Sequence, residues 1–171
     1  MINIKWLIKD SQYTLESENE TLVNLTNIPG KNPVFTLNNT EYIVSLKGFW
    51  NPSYYIHCNK QEVVKITHSI WVSKGIIAFQ DGTNYVSKYS NKGGLSLTFW
   101  QEETELLKYS IGFENKKPIL NFSIGTAIID ADKLLILSTI GMIIFSGVYN
   151  EMASGSDITT TALMSSVIAS I

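Results

Sequence analysis

From residue 1 to about residue 124, the hydrophobic positions of the chain follow a period of two. Short runs alternate apolar and polar side chains, as in LSLTF (95–99) and LLKYSIGF (106–113), and Asn, Gly, Asp or Pro separates the runs. This pattern is typical of antiparallel β-strands joined by short turns. We predict about twelve strands, which begin near residues 3, 12, 21, 34, 40, 53, 62, 76, 83, 94, 104 and 117.

The pattern changes at Asp130, where a long apolar run begins. Residues 134–149 contain no charged side chain. Asp130 is a suitable N-cap, and Asp132 places negative charge in the first turn, where the helix dipole favours it. The run therefore predicts a helix over about 130–150 that has no polar face. Such a helix must be surrounded by protein or by lipid.

Two interpretations of this helix stay open. A membrane-spanning helix needs about 20 apolar residues, whereas runs of about 10 to 14 are more typical of core helices. A barrel of about twelve strands is too wide for its own side chains to fill, and a helix about 10 to 12 Å across would fit inside it. We expect a mainly β fold, in which a closed antiparallel barrel encloses the helix, so that removal of the helix unfolds the chain. In the alternative, residues 134–149 anchor the protein in a membrane.

The predicted domain boundaries follow from these elements. Residues 1–151 form one barrel domain, and residues 152–171 form a C-terminal tail that is flexible or docks on a partner. ITTTALMSSVIASI (158–171) has no charge, which makes it a candidate for self-association.

Composition narrows the classes of partner. The chain has 13 lysines and no arginine, against 15 acidic residues, so its net charge is −2. Without arginine there is no planar guanidinium to form two-point contacts with phosphate or guanine, and we expect no nucleic-acid partner. A single cysteine excludes an internal disulfide. Charged residues early in the chain do not fit a signal peptide, and we expect a cytoplasmic protein with peripheral contact at a membrane.

Few side chains could carry catalysis or bind a metal. His57, His68 and Cys58 are the candidates, and His57 and Cys58 should point to opposite faces of one strand because they are adjacent. No GxSxG, HExxH, paired CxxC or phosphate-binding glycine loop is present. We therefore predict no catalytic residue, no metal site and no cofactor. The alternative of an enzyme depends on the two histidines and the acidic residues alone.

Two groups of residues are candidate surface contacts. The segment KGFWNPSYY (47–55) carries Trp50 and Tyr54, which could contact a membrane or a protein, or could close one end of the barrel. Lys88 and Lys92 flank one predicted turn, and Lys116 and Lys117 lie together at another. These four lysines are candidates for contact with anionic lipid.

The order of elements, about twelve antiparallel strands and then one hydrophobic helix, resembles the tubby C-terminal-like superfamily, which includes the LURP-one-related proteins and the phospholipid scramblases. The most specific part is residues 117–151, KPILNFSIGTAIIDADKLLILSTIGMIIFSGVYNE; IKWLIKD (4–10), YYIHCNKQEVVKI (54–66) and IWVSKGIIAFQDG (70–82) are weaker matches. The resemblance implies a closed barrel around its own helix, without enzymatic activity. It also implies a lipid headgroup or a protein as the partner, since tubby domains bind phosphoinositides and scramblases are membrane-associated.

Overall fold

The protein is mainly β. A computed structural model describes residues 4–9, 11–18, 20–47, 53–69, 74–92, 94–126 and 129–153. The strands are β1 (Ile4–Lys9), β2 (Gln12–Ser17), β3 (Glu20–Thr26), β4 (Val34–Leu37), β5 (Thr40–Lys47), β6 (Ser53–Cys58), β7 (Gln61–Ser69), β8 (Lys74–Phe79), β9 (Asn84–Ser90), β10 (Ser96–Gln101), β11 (Thr104–Glu114) and β12 (Lys117–Ile124). One helix, α1 (Ala131–Ala153), follows them.

The strands form a simple meander in which each pairs antiparallel with the next, so the sheet order is the chain order. All twelve begin within two residues of the positions predicted from the hydrophobic pattern. The turns are marked by left-handed residues, and the pairs Asn38–Asn39, Asn59–Lys60 and Asn115–Lys116 have positive φ at both positions. Such two-residue turns match the twist of the strands that they connect.

The sheet curls into a nearly closed barrel around α1. Eleven consecutive helical residues, Ile136–Ser146, are buried. Because this stretch covers about three turns, all sides of the helix are enclosed. The prediction of an internal helix is confirmed, although α1 continues to Ala153 rather than ending near 150. The expected C-terminal tail lies almost entirely in 154–171, outside the described residues.

A side-chain hydrogen bond joins the edge strand β1 to β11, the neighbour of the other edge strand. Within the described residues, no backbone ladder joins β1 to β12. Instead, the Trp6 indole of β1 donates a hydrogen bond to the Tyr109 hydroxyl of β11 at 2.8 Å. That hydroxyl donates in turn to the Ser138 carbonyl of α1 at 2.6 Å. One buried phenol thus links the seam of the barrel to the helix.

A second buried hydrogen bond holds the other half of the helix. The Asn27 amide, just after β3, donates to the Ser146 hydroxyl at 2.8 Å, and that hydroxyl donates to the Ile143 carbonyl at 2.9 Å. An unsatisfied buried polar group costs about 1–3 kcal/mol. These bonds therefore offset the cost of having polar side chains on a buried helix.

Gly141 allows a close contact between the helix and the barrel. The backbone of α1 comes nearest to β3, β4, β11 and β12. A Cβ at Gly141 would overlap the Tyr109 ring, which also packs against Phe122 and Phe145 with centroids 4.9 and 5.8 Å away. Absence of a side chain at this position lets the helix lie directly on β11.

The first turn of α1 is capped as the sequence predicts. The Asp130 carboxylate accepts a hydrogen bond from the Lys133 amide at 3.0 Å, and the Asp130 carbonyl accepts one from Leu134 at 3.0 Å. An N-cap of this kind contributes about 1 kcal/mol.

We expect Gly141→Ala to destabilise the fold. The added methyl group must displace a Tyr109 ring that is held by two hydrogen bonds, and overpacking of this kind costs about 1–3 kcal/mol, more than the roughly 1 kcal/mol gained in helix propensity. Thermal or urea unfolding followed by circular dichroism measures the change. Gly147→Ala, at a half-buried position of the same helix, is the control and should show no comparable loss. An unfolding midpoint for Gly141→Ala at or above that of the parent chain would contradict the tight contact.

Candidate functional site

The interior of the barrel offers no room for a substrate between the helix and β5–β7. A cavity of about 10 Å³ lies there, lined by Val44, Tyr54, Ile56, Ile66, Ile140, Ile143 and Ile144. This volume is close to the minimum for one water molecule, and an apolar lining gives water too few partners. The described lining of this part of the interior therefore leaves no room for a ligand.

The titratable residues do not converge on an active site. His57 lies on β6, where its Nε2 is 3.0 Å from the Ser45 hydroxyl and its ring is 6.4 Å from that of Tyr55. Cys58 is a half-buried free thiol opposite Tyr42. His68 lies on β7 opposite Gly75, with its side chain outside the described part of the structure. Among the described residues, no group of three His, Cys, Asp or Glu side chains could hold a metal ion.

The meander gives the barrel two chemically different ends. Because successive antiparallel strands reverse direction, alternate connections lie at opposite ends. The connections β2–β3, β4–β5, β6–β7, β8–β9 and β10–β11 lie with the start of α1, as contacts from Asn38 to Asp132 and from Lys133 to Thr83 show, both 2.9 Å. The other six connections lie with the end of α1, where the Asn150 amide donates to the Tyr13 hydroxyl at 3.3 Å.

The end at the start of α1 is strongly acidic, and we call it the acidic end. Eleven of the acidic residues lie in its connections, in the two strand residues next to them, or at the starts of β1 and α1, together with only three lysines. The acidic residues are Glu16, Glu18, Glu20, Glu41, Glu62, Asp81, Glu102, Glu103, Glu105, Asp130 and Asp132, and the lysines are Lys5, Lys60 and Lys133.

One ion pair ties this end to the helix. The Lys133 ammonium group contacts both the Asp81 carboxylate and the Thr83 hydroxyl. Hydrogen bonds from Lys133 and Thr83 lower the pKa of Asp81 to about 2. This pair joins α1 to the β8–β9 connection across the acidic end.

The opposite end is rich in lysine, and we call it the basic end. Seven exposed lysines lie in its connections or in the strand residues next to them: Lys9, Lys31, Lys47, Lys74, Lys92, Lys116 and Lys117. Among described side chains, Glu114 is the one carboxylate at this end. Asp10 precedes β2 in the sequence and Glu151 is in α1, and the side chains of both lie outside the described part.

The charges of both ends complement the dipole of α1. A helix carries partial positive charge at its N-terminus and partial negative charge at its C-terminus. The N-terminus of α1 lies among carboxylates and its C-terminus among lysines. Since the barrel encloses residues Ile136–Ser146 of this helix, the dipole can be balanced at the exposed helix ends.

Three of the four lysines predicted as lipid contacts lie at one end of the barrel. Lys92, Lys116 and Lys117 lie at the basic end. Lys88 lies on the outer wall two residues from the end of β9, with its ammonium group 4.1 Å from the centroid of the Trp100 ring. The strand register places four residues of β8 to β11 in one row across the sheet, in the order Lys74, Lys88, Thr98 and Lys108. The like charges of Lys74 and Lys88 on neighbouring strands repel each other. A bound anionic ligand would reduce this repulsion.

The two predicted aromatic contacts have different outcomes. Tyr54 is 3 % exposed and lies in the barrel interior, so its ring is not available at the surface, and the expectation of a surface contact is corrected. The alternation of β6 turns Tyr54 inward and leaves Tyr55 on the outer wall, where Lys47 lies 4.7 Å from its centroid. Trp50 lies outside the described residues.

Exposed apolar side chains also concentrate at the basic end. Phe113 is 65 % exposed, and Ile8, Ile28 and Leu46 are each about 40 % exposed. The strand register pairs Ile8 with Tyr13, Leu46 with Tyr54 and Phe113 with Pro118. Ile8, Leu46 and Phe113 therefore occupy inward-facing positions of their strands, but they lie beyond the part of the barrel interior that α1 covers. They form an apolar rim at the basic end.

A groove of about 500 Å³ opens beside this rim. Its walls are Glu114, Asn115, Lys117, Pro118 and Ile119 of the β11–β12 hairpin and Tyr149 of α1. The groove joins apolar and charged side chains where the helix ends.

No family model, curated protein or solved structure matches this chain.

The buried phenol of Tyr54 predicts a loss of stability at high pH. Burial raises the pKa of Tyr54 to about 12, whereas the unfolded phenol has a pKa of about 10. The folded state therefore holds this proton more tightly, and the resulting stability is intact below about pH 10 and lost as the pH rises through about 12.

We expect Tyr54→Phe to make the midpoint of urea unfolding less dependent on pH between about 10 and 12. Tyr55→Phe makes the same chemical change on the outer wall, and its midpoint should fall with pH as that of the parent chain does. Identical slopes for Tyr54→Phe and the parent chain would contradict the burial of this phenol.

Proposed function

We propose that this protein is a non-enzymatic barrel that binds an anionic membrane surface. The observation that carries the proposal is the filled interior: α1 occupies the space where a barrel of this size would otherwise hold a ligand. Binding must then use the outer surface. The lysines of the basic end supply the charge that anionic headgroups attract, at about 1 kcal/mol for each lysine near the membrane.

The order of elements supports the proposed relation to the tubby-like superfamily. Twelve strands followed by an enclosed hydrophobic helix is the arrangement that this resemblance implies. On this proposal the chain acts as a peripheral protein on the cytoplasmic side of a membrane.

Vesicle flotation tests the proposal. We expect the full chain to float with vesicles of mixed phosphatidylserine and phosphatidylcholine at low salt, and to remain unbound with phosphatidylcholine alone. Binding should weaken greatly at about 1 M salt, where the Debye length is about 3 Å. If the chain does not float with the anionic vesicles at low salt, lipid binding is wrong and a protein becomes the favoured class of ligand.

A membrane-anchored protein is the second candidate. One helical stretch, Ala131–Asn150, is long and apolar enough to cross a membrane, and its most apolar 18 residues are 67 % buried inside the barrel. Burial of this surface by protein favours the role of a core helix, because a helix enclosed by strands does not present that surface to lipid.

Solubility separates these two candidates. We expect the full chain to be recovered folded in buffer without detergent, with α1 protected inside the barrel. Hydrogen exchange should be slowest at the amides of 136–146, which are enclosed on all sides. Recovery only in detergent would instead support a membrane-spanning α1.

A further inference from the structure

Two independent properties coincide at the basic end of the barrel. Its lysines give it positive charge, and its rim exposes Ile8, Ile28, Leu46 and Phe113. By contrast, the described connections at the acidic end carry no exposed large hydrophobic side chain. Charge and apolar exposure therefore select the same end of the molecule.

The apolar rim follows from the geometry of the fold. Ile8, Leu46 and Phe113 occupy inward-facing positions, where the strand pattern requires apolar residues, but the enclosed part of α1 does not extend to cover them. Phe113 is the clearest case, since 65 % of it is exposed even though the preceding inward residues Tyr109 and Ile111 are buried. Leaving such a side chain in water is unfavourable, and exposed apolar patches commonly mark contact surfaces.

An anionic bilayer fits this combination. Its headgroup layer attracts lysine, and the boundary with the acyl chains accepts apolar side chains just beneath. A nucleic acid would match the charge, but it would leave most of the apolar rim in water. The acidic end points away from such a membrane, which repels it, so the separation of charge also fixes the orientation of the barrel.

We propose that the basic end is the membrane-docking face, with the barrel axis directed into the bilayer surface. Phe113 and the rest of the rim enter the headgroup boundary, and Lys31, Lys92 and Lys116 contact anionic headgroups. This inference rests on the proposed function and adds to it the face and the orientation.

Two matched pairs of charge reversals test the face. Lys31→Glu with Lys92→Glu alters the basic end, and Lys5→Glu with Lys60→Glu alters the acidic half of the barrel. All four lysines are exposed, and both variants carry the same net charge. We expect the first pair to weaken binding to phosphatidylserine vesicles by about tenfold or more, because each reversal replaces attraction with repulsion near the surface. The second pair should change binding by less than about threefold.

The results distinguish an error in the docking face from an error in the proposed membrane binding on which it rests. Equal losses for both pairs would show that only net charge matters and would overturn the docking face, while membrane binding itself would stand. Absence of binding by the parent chain would overturn the function. Circular dichroism and thermal unfolding identify any variant that has lost its fold.

A label at the rim tests the orientation directly and does not depend on altered charge. In a Cys58→Ser background, an environment-sensitive dye is attached at Phe113→Cys, or at Ile43→Cys as the control. Ile43 is 40 % exposed but lies on the outer wall, on the middle part of β5. On addition of phosphatidylserine vesicles, the emission at position 113 should increase and shift to shorter wavelength, with little change at position 43. The opposite result, or an equal response at both positions, would contradict docking through the basic end.

Discussion

The structure depends on the mutual burial of one apolar helix and twelve strands. A sheet of this size curls into a barrel that is too wide for its own side chains to fill. A helix with no polar face is not stable when it is exposed to water. Each part removes the apolar surface of the other from solvent. The polar groups that this brings inside are accommodated by a few specific contacts, above all the path from Trp6 through Tyr109 to the carbonyl of Ser138. Gly141 then allows the helix to rest on the strand that carries Tyr109.

The direction of the enclosed helix is matched by the charge of the whole surface. Most carboxylates lie near its N-terminus and most lysines near its C-terminus, although these residues are scattered along the sequence. The protein therefore has nearly balanced total charge but a large separation of charge along the barrel axis. The net charge of −2 does not show this separation, and it does not by itself predict how the molecule interacts with a charged surface.

The sequence predicted the elements of the fold closely, because alternation of apolar residues, turn chemistry and an uncharged run are local signals. Twelve strands and one enclosed helix follow from them. The two ends of the barrel were not predicted, since Lys31, Lys47 and Lys74 are seen to share one end only when strand direction is followed through the meander. Alternate connections of a meander lie at opposite ends, and grouping the charged residues by this rule could have identified the acidic and basic ends. Tyr54 was misplaced for a related reason: alternation puts Tyr54 and Tyr55 on opposite faces, and only the register with β5 and β7 shows which of them points inward.

The position of the helix in the chain has a consequence for biosynthesis. The element that fills the centre of the barrel leaves the ribosome only after all twelve strands. Neighbouring strands can pair as they emerge, because their contacts are local, but the core cannot be completed until translation has passed the helix. During that interval the inward faces of the hairpins lack their partner, so the nascent chain exposes apolar sheet surface. Completion of this core should therefore wait for α1, and the dependence of the nascent chain on chaperones should be greatest just before the helix is released.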